Sequence, residues 1–186
     1  MKARNLILAS LLLFGGVAAQ AETPFQFAAP NLRAPSDPEV NGIRFSVLHG
    51  DNARMSGVDF GLLSMSETHH MSGVGFIGGV HRVHGNMDGG VVFSLVNLHS
   101  GYDSGLNHAF INLLEHPNRA LNIAFINLSG GHSMIELGGI NVSGSSGAQI
   151  GFVNVTERIK TFQFGFLNVA ENGFLPIFPV FNFAVK

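Results

Sequence analysis

The chain of 186 residues contains no cysteine, no tryptophan and a single tyrosine. Without cysteine, a disulfide scaffold, a thiol nucleophile, a thiolate metal site and a lipid-bearing thiol are all excluded. Charge is scarce too: Asp, Glu, Lys and Arg supply 12% of the residues, about half the usual quarter. A formal net charge of −2 gives no basic field with which to hold nucleic acid, so no nucleic-acid partner is expected. No later apolar run reaches the roughly 18 residues that a transmembrane helix needs. The chain is nevertheless 46% hydrophobic, which rules out intrinsic disorder. Glycine, 24 residues, and phenylalanine, 17 residues, take the place of what is missing.

Residues 1–21 read as a secretory signal peptide. Lys2 and Arg4 precede an apolar stretch from Leu6 to Val17, and Ala19-Gln20-Ala21 offers small residues for cleavage before Glu22. Export to the periplasm, outer membrane or cell surface is therefore expected. Residues 22–41 hold four prolines, at 24, 30, 35 and 38. They read as an extended lead-in that caps or laces onto the domain, or equally as a disordered linker. Residues 42–186 form the remaining unit, enough for one domain.

That unit is repetitive. Gly151-Phe152-Val153-Asn154-Val155 matches Gly165-Phe166-Leu167-Asn168-Val169, and Ala124-Phe125-Ile126-Asn127-Leu128 matches Ala109-Phe110-Ile111-Asn112-Leu113. A further copy ends at Asn97, and weaker ones end at His49, Ser64, Val80, Asn141 and Asn182. Spacings of 13–17 residues recur throughout, and such periodicity decides the fold class before anything else.

Within a copy the apolar residues alternate, as at Phe162, Phe164 and Phe166, which is the period of a strand with one buried face. At the asparagine the parity breaks: Leu167 and Val169 belong to the opposite set. A corner there, which asparagine suits, lets the apolar residues on both sides enter one core. Asn97, Asn112, Asn127, Asn141, Asn154, Asn168 and Asn182 are therefore the expected corner residues, stacked as an amide ladder. The expected fold is all-β, a β-solenoid of about ten coils of 13–17 residues. Its proline-containing terminal repeat, 174–186, blocks further pairing. On this reading Phe125→Ala or Phe152→Ala removes a core rung and costs roughly 3–5 kcal/mol. The alternative is an outer-membrane β-barrel of about ten antiparallel strands, a small pore or adhesin. The lack of aromatic girdles and of alternating loop lengths counts against it.

The units GFVNVTERIKTFQFGFLNVAENG and the ending NGFLPIFPVFNF resemble the tandem "surface repeat" family of exported bacterial proteins. The likeness is good over 148–183 and weaker over 91–147. Before 90 it is poor, and Ser64 and Val80 stand where asparagine is expected. The resemblance implies a Gram-negative-type exported or surface protein and carries no activity with it.

No catalytic constellation is present: Ser145 and Ser146 sit in a glycine-rich turn, and no glycine pair has a phosphate-loop context. An enzyme is not expected. Histidine is the one feature above background, nine residues confined to 49–132. Counted from the preceding anchor, His69, His70, His84, His116 and His132 fall at +4 to +6, on one polar edge of a solenoid. Imidazoles so aligned can bind zinc, copper or nickel, or gain charge together near pH 6. The plain alternative is turn-compatible polar residues. Two functions from different classes stand beside each other: a non-enzymatic structural or interaction module of the envelope or surface, with an unspecified protein or envelope partner and outer-membrane association in view, and the outer-membrane β-barrel acting as a small pore or adhesin. A His-rich periplasmic metal binder is a third, weaker alternative.

Overall fold

The computed structural model describes residues 23–116 and 119–185; the expected signal peptide lies outside the described residues. Alternating sequence becomes strand almost everywhere: β1 (Thr23–Ala29), β2 (Leu32–Ala34), β3 (Glu39–Val83), β4 (Met87–His99), β5 (Asp103–Leu114), β6 (Leu121–Ala170) and β7 (Ile177–Phe183). The long β3 and β6 each run through several coils. Neighbouring coils are parallel and in register, with Asn97 opposite Asn112 and Asn112 opposite Asn127. The fold is a β-solenoid. The barrel alternative is overturned, because an up-and-down barrel pairs each strand antiparallel with the next. Here each coil pairs parallel with the one above it.

Both ends are closed by reversed strands. Residues of the lead-in are ordered: β1 lies parallel on β3, with Phe27 opposite Phe45, and β2 folds back antiparallel on β1. At the other end β7 runs antiparallel on β6, with Phe164 opposite Phe181. The terminal copy is thus a turned-back cap and not a further coil. Pro179 within it has no N–H to offer an additional strand.

The aromatic set faces outward, which corrects the expected core. All sixteen described phenylalanines are exposed or half-buried; Phe125 is 55% and Phe152 64% exposed. Phe125→Ala and Phe152→Ala therefore remove no core rung. The buried positions of the same segment are Asn122, Ala124, Asn127 and Ser129. Coil length explains the choice. A coil of 13–15 residues encloses little cross-section, so its inward positions admit small residues and amides that stack on their copies. Where the asparagines are 15 residues apart the inward neighbours are Ala109 and Ala124; where they are 13 or 14 apart, Gly138, Gly151 and Gly165 replace them. A Cβ on Gly151 would lie 2.3 Å from the Gly138 carbonyl oxygen and 2.5 Å from Asn141 Nδ2. An apolar interior cluster does occur in the less regular stretch, where Met71, Val83, Met87 and Val92 pack together.

Stability should follow this inverted arrangement. Asn141→Ala strips a donor from Asn154 and an acceptor from Asn127, at a cost of about 2–4 kcal/mol. Phe152→Ala should cost less than about 1 kcal/mol, as an exposed substitution does. Denaturant unfolding of both variants checks the order; the reverse order would return the aromatics to the core.

Candidate functional site

The asparagine column is the most regular chemistry in the molecule. Each Nδ2 donates to the Oδ1 of the next coil: Asn97 to Asn112 at 2.9 Å, then Asn112 to Asn127, Asn127 to Asn141, Asn141 to Asn154 and Asn154 to Asn168, each at 2.8 Å. The spare N–H of Asn127, Asn141 and Asn154 donates to a strand carbonyl, of Leu137, Ile150 and Phe164 respectively. Burial costs these amides little because both ends are bonded. Six of the seven expected corner residues stand in this column. Asn182 does not: it sits opposite Gln163 on the reversed strand and donates to Gln163 Oε1 at 3.3 Å. Val80 is also displaced as an anchor, since His81 is the residue opposite Asn97.

A second buried column was not read from the sequence. At its start Arg44 Nε donates to Asp59 Oδ1 at 2.9 Å and Nη2 to Oδ2 at 2.6 Å, a fully buried bidentate pair. Arg44 also donates to Ser66. Further along, His99 Nδ1 bonds Asp103 Oδ2 at 2.6 Å, and His99 Nε2 lies 3.3 Å from His81 Nδ1. Asn107 Nδ2 reaches both Asp103 and Asn122. The column continues through Ser133, Glu136, Gln149 and Gln163 to Asn182. The signal for it was present. Ile43-Arg44-Phe45, Val58-Asp59-Phe60 and Phe162-Gln163-Phe164 each hold a polar residue between two apolar ones, and that polar residue is the buried one.

Two of these groups have displaced pKa values. Burial first, then electrostatic repulsion from neighbouring His99 and Arg44, holds His81 well below its ordinary value near 6.5. Burial raises Glu136, opposed by hydrogen bonds from Gln149, Ser143, Ser133 and Ser146. Although Asp103, His99 and His81 form a relay-like line, all three are sealed inside, out of reach of a substrate. The line ties coils together.

The five histidines expected at one metal-binding edge do not converge. His69 and His84 come together, ring centroids 5.3 Å apart, and His84 Nε2 lies 2.8 Å from Glu67 Oε2. They line a cleft of about 320 Å³ with Arg33, Asp51, Glu67 and Thr68. His132 belongs elsewhere, between Ser145 and the Lys160 ammonium, which donates to its Nε2 at 3.2 Å. Partial burial, Lys160 and Arg119 lower its pKa, contrary to an edge that charges near pH 6. His70 and His116 are exposed. Among the described residues no group of three or more His, Asp or Glu side chains is placed to hold a metal ion.

The outer surface is the remaining candidate. Before the corner Leu121, Ile123 and Phe125 point outward; after it Ile126 and Leu128 do. Register carries these columns through Val91 and Leu106, Val96 and Ile111, and Leu98 and Leu113. Phenylalanines stack along the axis, Phe60 on Phe76 on Phe93, Phe110 on Phe125, and Phe152 on Phe166, with centroids 5.0–5.6 Å apart. Two sides of each coil are thus apolar. The third carries glycine, serine and the charges, as at Gly130-Gly131-His132 and Glu157-Arg158. Exceptions on the apolar sides are Arg82, in the column of Leu98, and His108, in that of Phe93. No family model, no curated protein and no solved structure matches this chain.

The buried groups set a pH dependence. With the folded pKa of His81 depressed, the unfolded chain takes up a proton that the folded chain refuses, so stability is lost as pH falls below about 6.5. With that of Glu136 raised above 4.5, stability is instead lost as pH climbs through the raised value. His81→Asn should flatten the first slope. Glu136→Gln, which matches Gln149 and Gln163 in its own column, should flatten the second and raise the urea midpoint at pH 7. Urea midpoints from pH 4.5 to 7.5 read both slopes.

Proposed function

We propose that the chain is an exported, non-enzymatic repeat module of the bacterial envelope or cell surface, and that its two apolar sides are its working surface. One observation carries this reading: a stable, polar-bonded interior leaves the phenylalanines for the outside. Soluble monomers rarely expose contiguous apolar patches beyond a few hundred Å². Here the apolar columns run along the stack of coils, and a surface of that kind is kept for contact. The signal-like segment over 1–21 supports export. Sealing of the relay-like Asp103–His99–His81 line supports a role without turnover, and the dispersal of His70, His116 and His132 favours the interaction module over the metal binder.

Fractionation of cells expressing the tagged, full chain tests the proposal. The protein is expected in the envelope fraction, and Phe110→Ser with Phe125→Ser should shift it at least partly to the soluble periplasmic or secreted fraction while its β-type circular dichroism stays intact. A chain found wholly soluble, with or without the substitutions, would overturn the reading.

A further inference from the structure

An envelope module with two apolar sides needs a partner for them, and the geometry narrows the choice. We propose that these sides bind the acyl region of a lipid bilayer, with the solenoid lying along the membrane, its axis in the membrane plane and its third side in water. The inference rests on the apolar sides being the working surface.

Shape favours lipid over protein. The apolar cover turns the corner, because Phe125 and Ile126 are adjacent and both face outward. A protein partner with a flat sheet face, a second copy included, covers one side of that corner and leaves the other in water. Acyl chains conform to both. Charge points the same way. Over residues 121–170 the only Asp, Glu, Lys or Arg residues are Glu136, Glu157, Arg158 and Lys160. Glu136 is buried, and the other three stand together on the third side. Charge is therefore kept off the two sides for the whole length of β6. Hydrogen bonding agrees as well. Lipid tolerates only backbone whose N–H and C=O groups are satisfied within the protein. Stacked coils meet that condition along the axis, between the short end strands β2 and β7.

The third side fixes the orientation. Because Arg119, His132, Ser145 and Arg158 belong to successive coils, a polar strip runs along the axis, and a spanning solenoid would drag it through the hydrocarbon. Lying in the interface keeps it wet, as an amphipathic helix keeps its polar face. Acidic and basic groups alternate on this strip, as in Glu115 with Arg119 and Glu157 with Arg158. Binding should consequently depend little on lipid charge.

Vesicle flotation of the purified mature chain tests this directly. The protein should float with zwitterionic phosphatidylcholine and with anionic phosphatidylglycerol vesicles, with affinities within about threefold of each other and insensitive to high salt. Phe125→Ser, Phe152→Ser and Phe166→Ser combined should weaken binding by at least about tenfold with the β-type spectrum retained. Two single-tryptophan variants read the orientation. Phe152→Trp should shift to the blue and be quenched by brominated acyl chains, and Lys160→Trp should do neither. Failure to float overturns the proposal: a dispersed monomer leaves the apolar sides to another protein, and a multimer assigns them to a second copy. Either failure is distinguishable from failure of the envelope reading, since the chain would still fractionate with the envelope. Flotation with Lys160→Trp quenched as strongly as Phe152→Trp would overturn the orientation.

Discussion

Everything in this molecule depends on the coincidence between two repeat distances. Backbone hydrogen bonding sets neighbouring strands about 4.8 Å apart, and a primary amide can bond its own copy at that spacing. Asn127, Asn141 and Asn154 use it in full, each accepting from the coil before, donating to the coil after and giving its spare N–H to a carbonyl. Once the interior is held by stacked amides, an apolar core is no longer required of it. Glycine and alanine then serve as fillers beside the amides, and the bulky residues are left to the exterior.

The strands, the period, six of the seven corner asparagines and the closing role of the last copy were legible in the sequence, because each is a statement about spacing. Facing was not. Period-two alternation sorts residues into two sets and is silent about which set lies inside; the assumption that apolar means buried placed Phe125 and Phe152 in the core. Small size was the better guide. Ala109, Ala124, Gly138, Gly151 and Gly165 each stand three residues before an asparagine, and only a cramped interior demands such small residues at every copy. Arg44 and Asp59 were missed for the same reason: each stands between two apolar residues, and the polar one of the three is the buried one, 15 residues from its partner. The histidine edge failed on a different count. Equal offsets place residues on one edge but not at one height, and only His69 and His84 meet.

The interior also changes character along the axis. Toward the start it holds an ion pair, methionines and the His81–His99–Asp103 line, and toward the end it settles into Asn, Gln, Gly and Ser. The exterior changes in step. Arg82 and His108 interrupt the apolar columns in the earlier coils, and no charged residue does so between 121 and 155. The irregular half carries the buried ion pair, the His81–His99–Asp103 line and the polar cleft; the regular half carries the uninterrupted apolar sides, with Glu136 buried among Ser, Gln and Asn side chains. One chain thus divides its length between a section of varied polar contacts and a uniform contact section.

The reversed strand β7 has a consequence for assembly. A parallel solenoid is directional, and its top edge is a template for its own bottom edge, so an open-ended one is a seed for head-to-tail polymerisation. By turning back, β7 leaves a short edge of seven residues that includes Pro179, and β2 leaves one of three residues at the opposite end. Short or proline-bearing edges are poor templates for a further strand. A fold built on the same stacking as a fibril thus carries, at each end, what blunts growth along its axis.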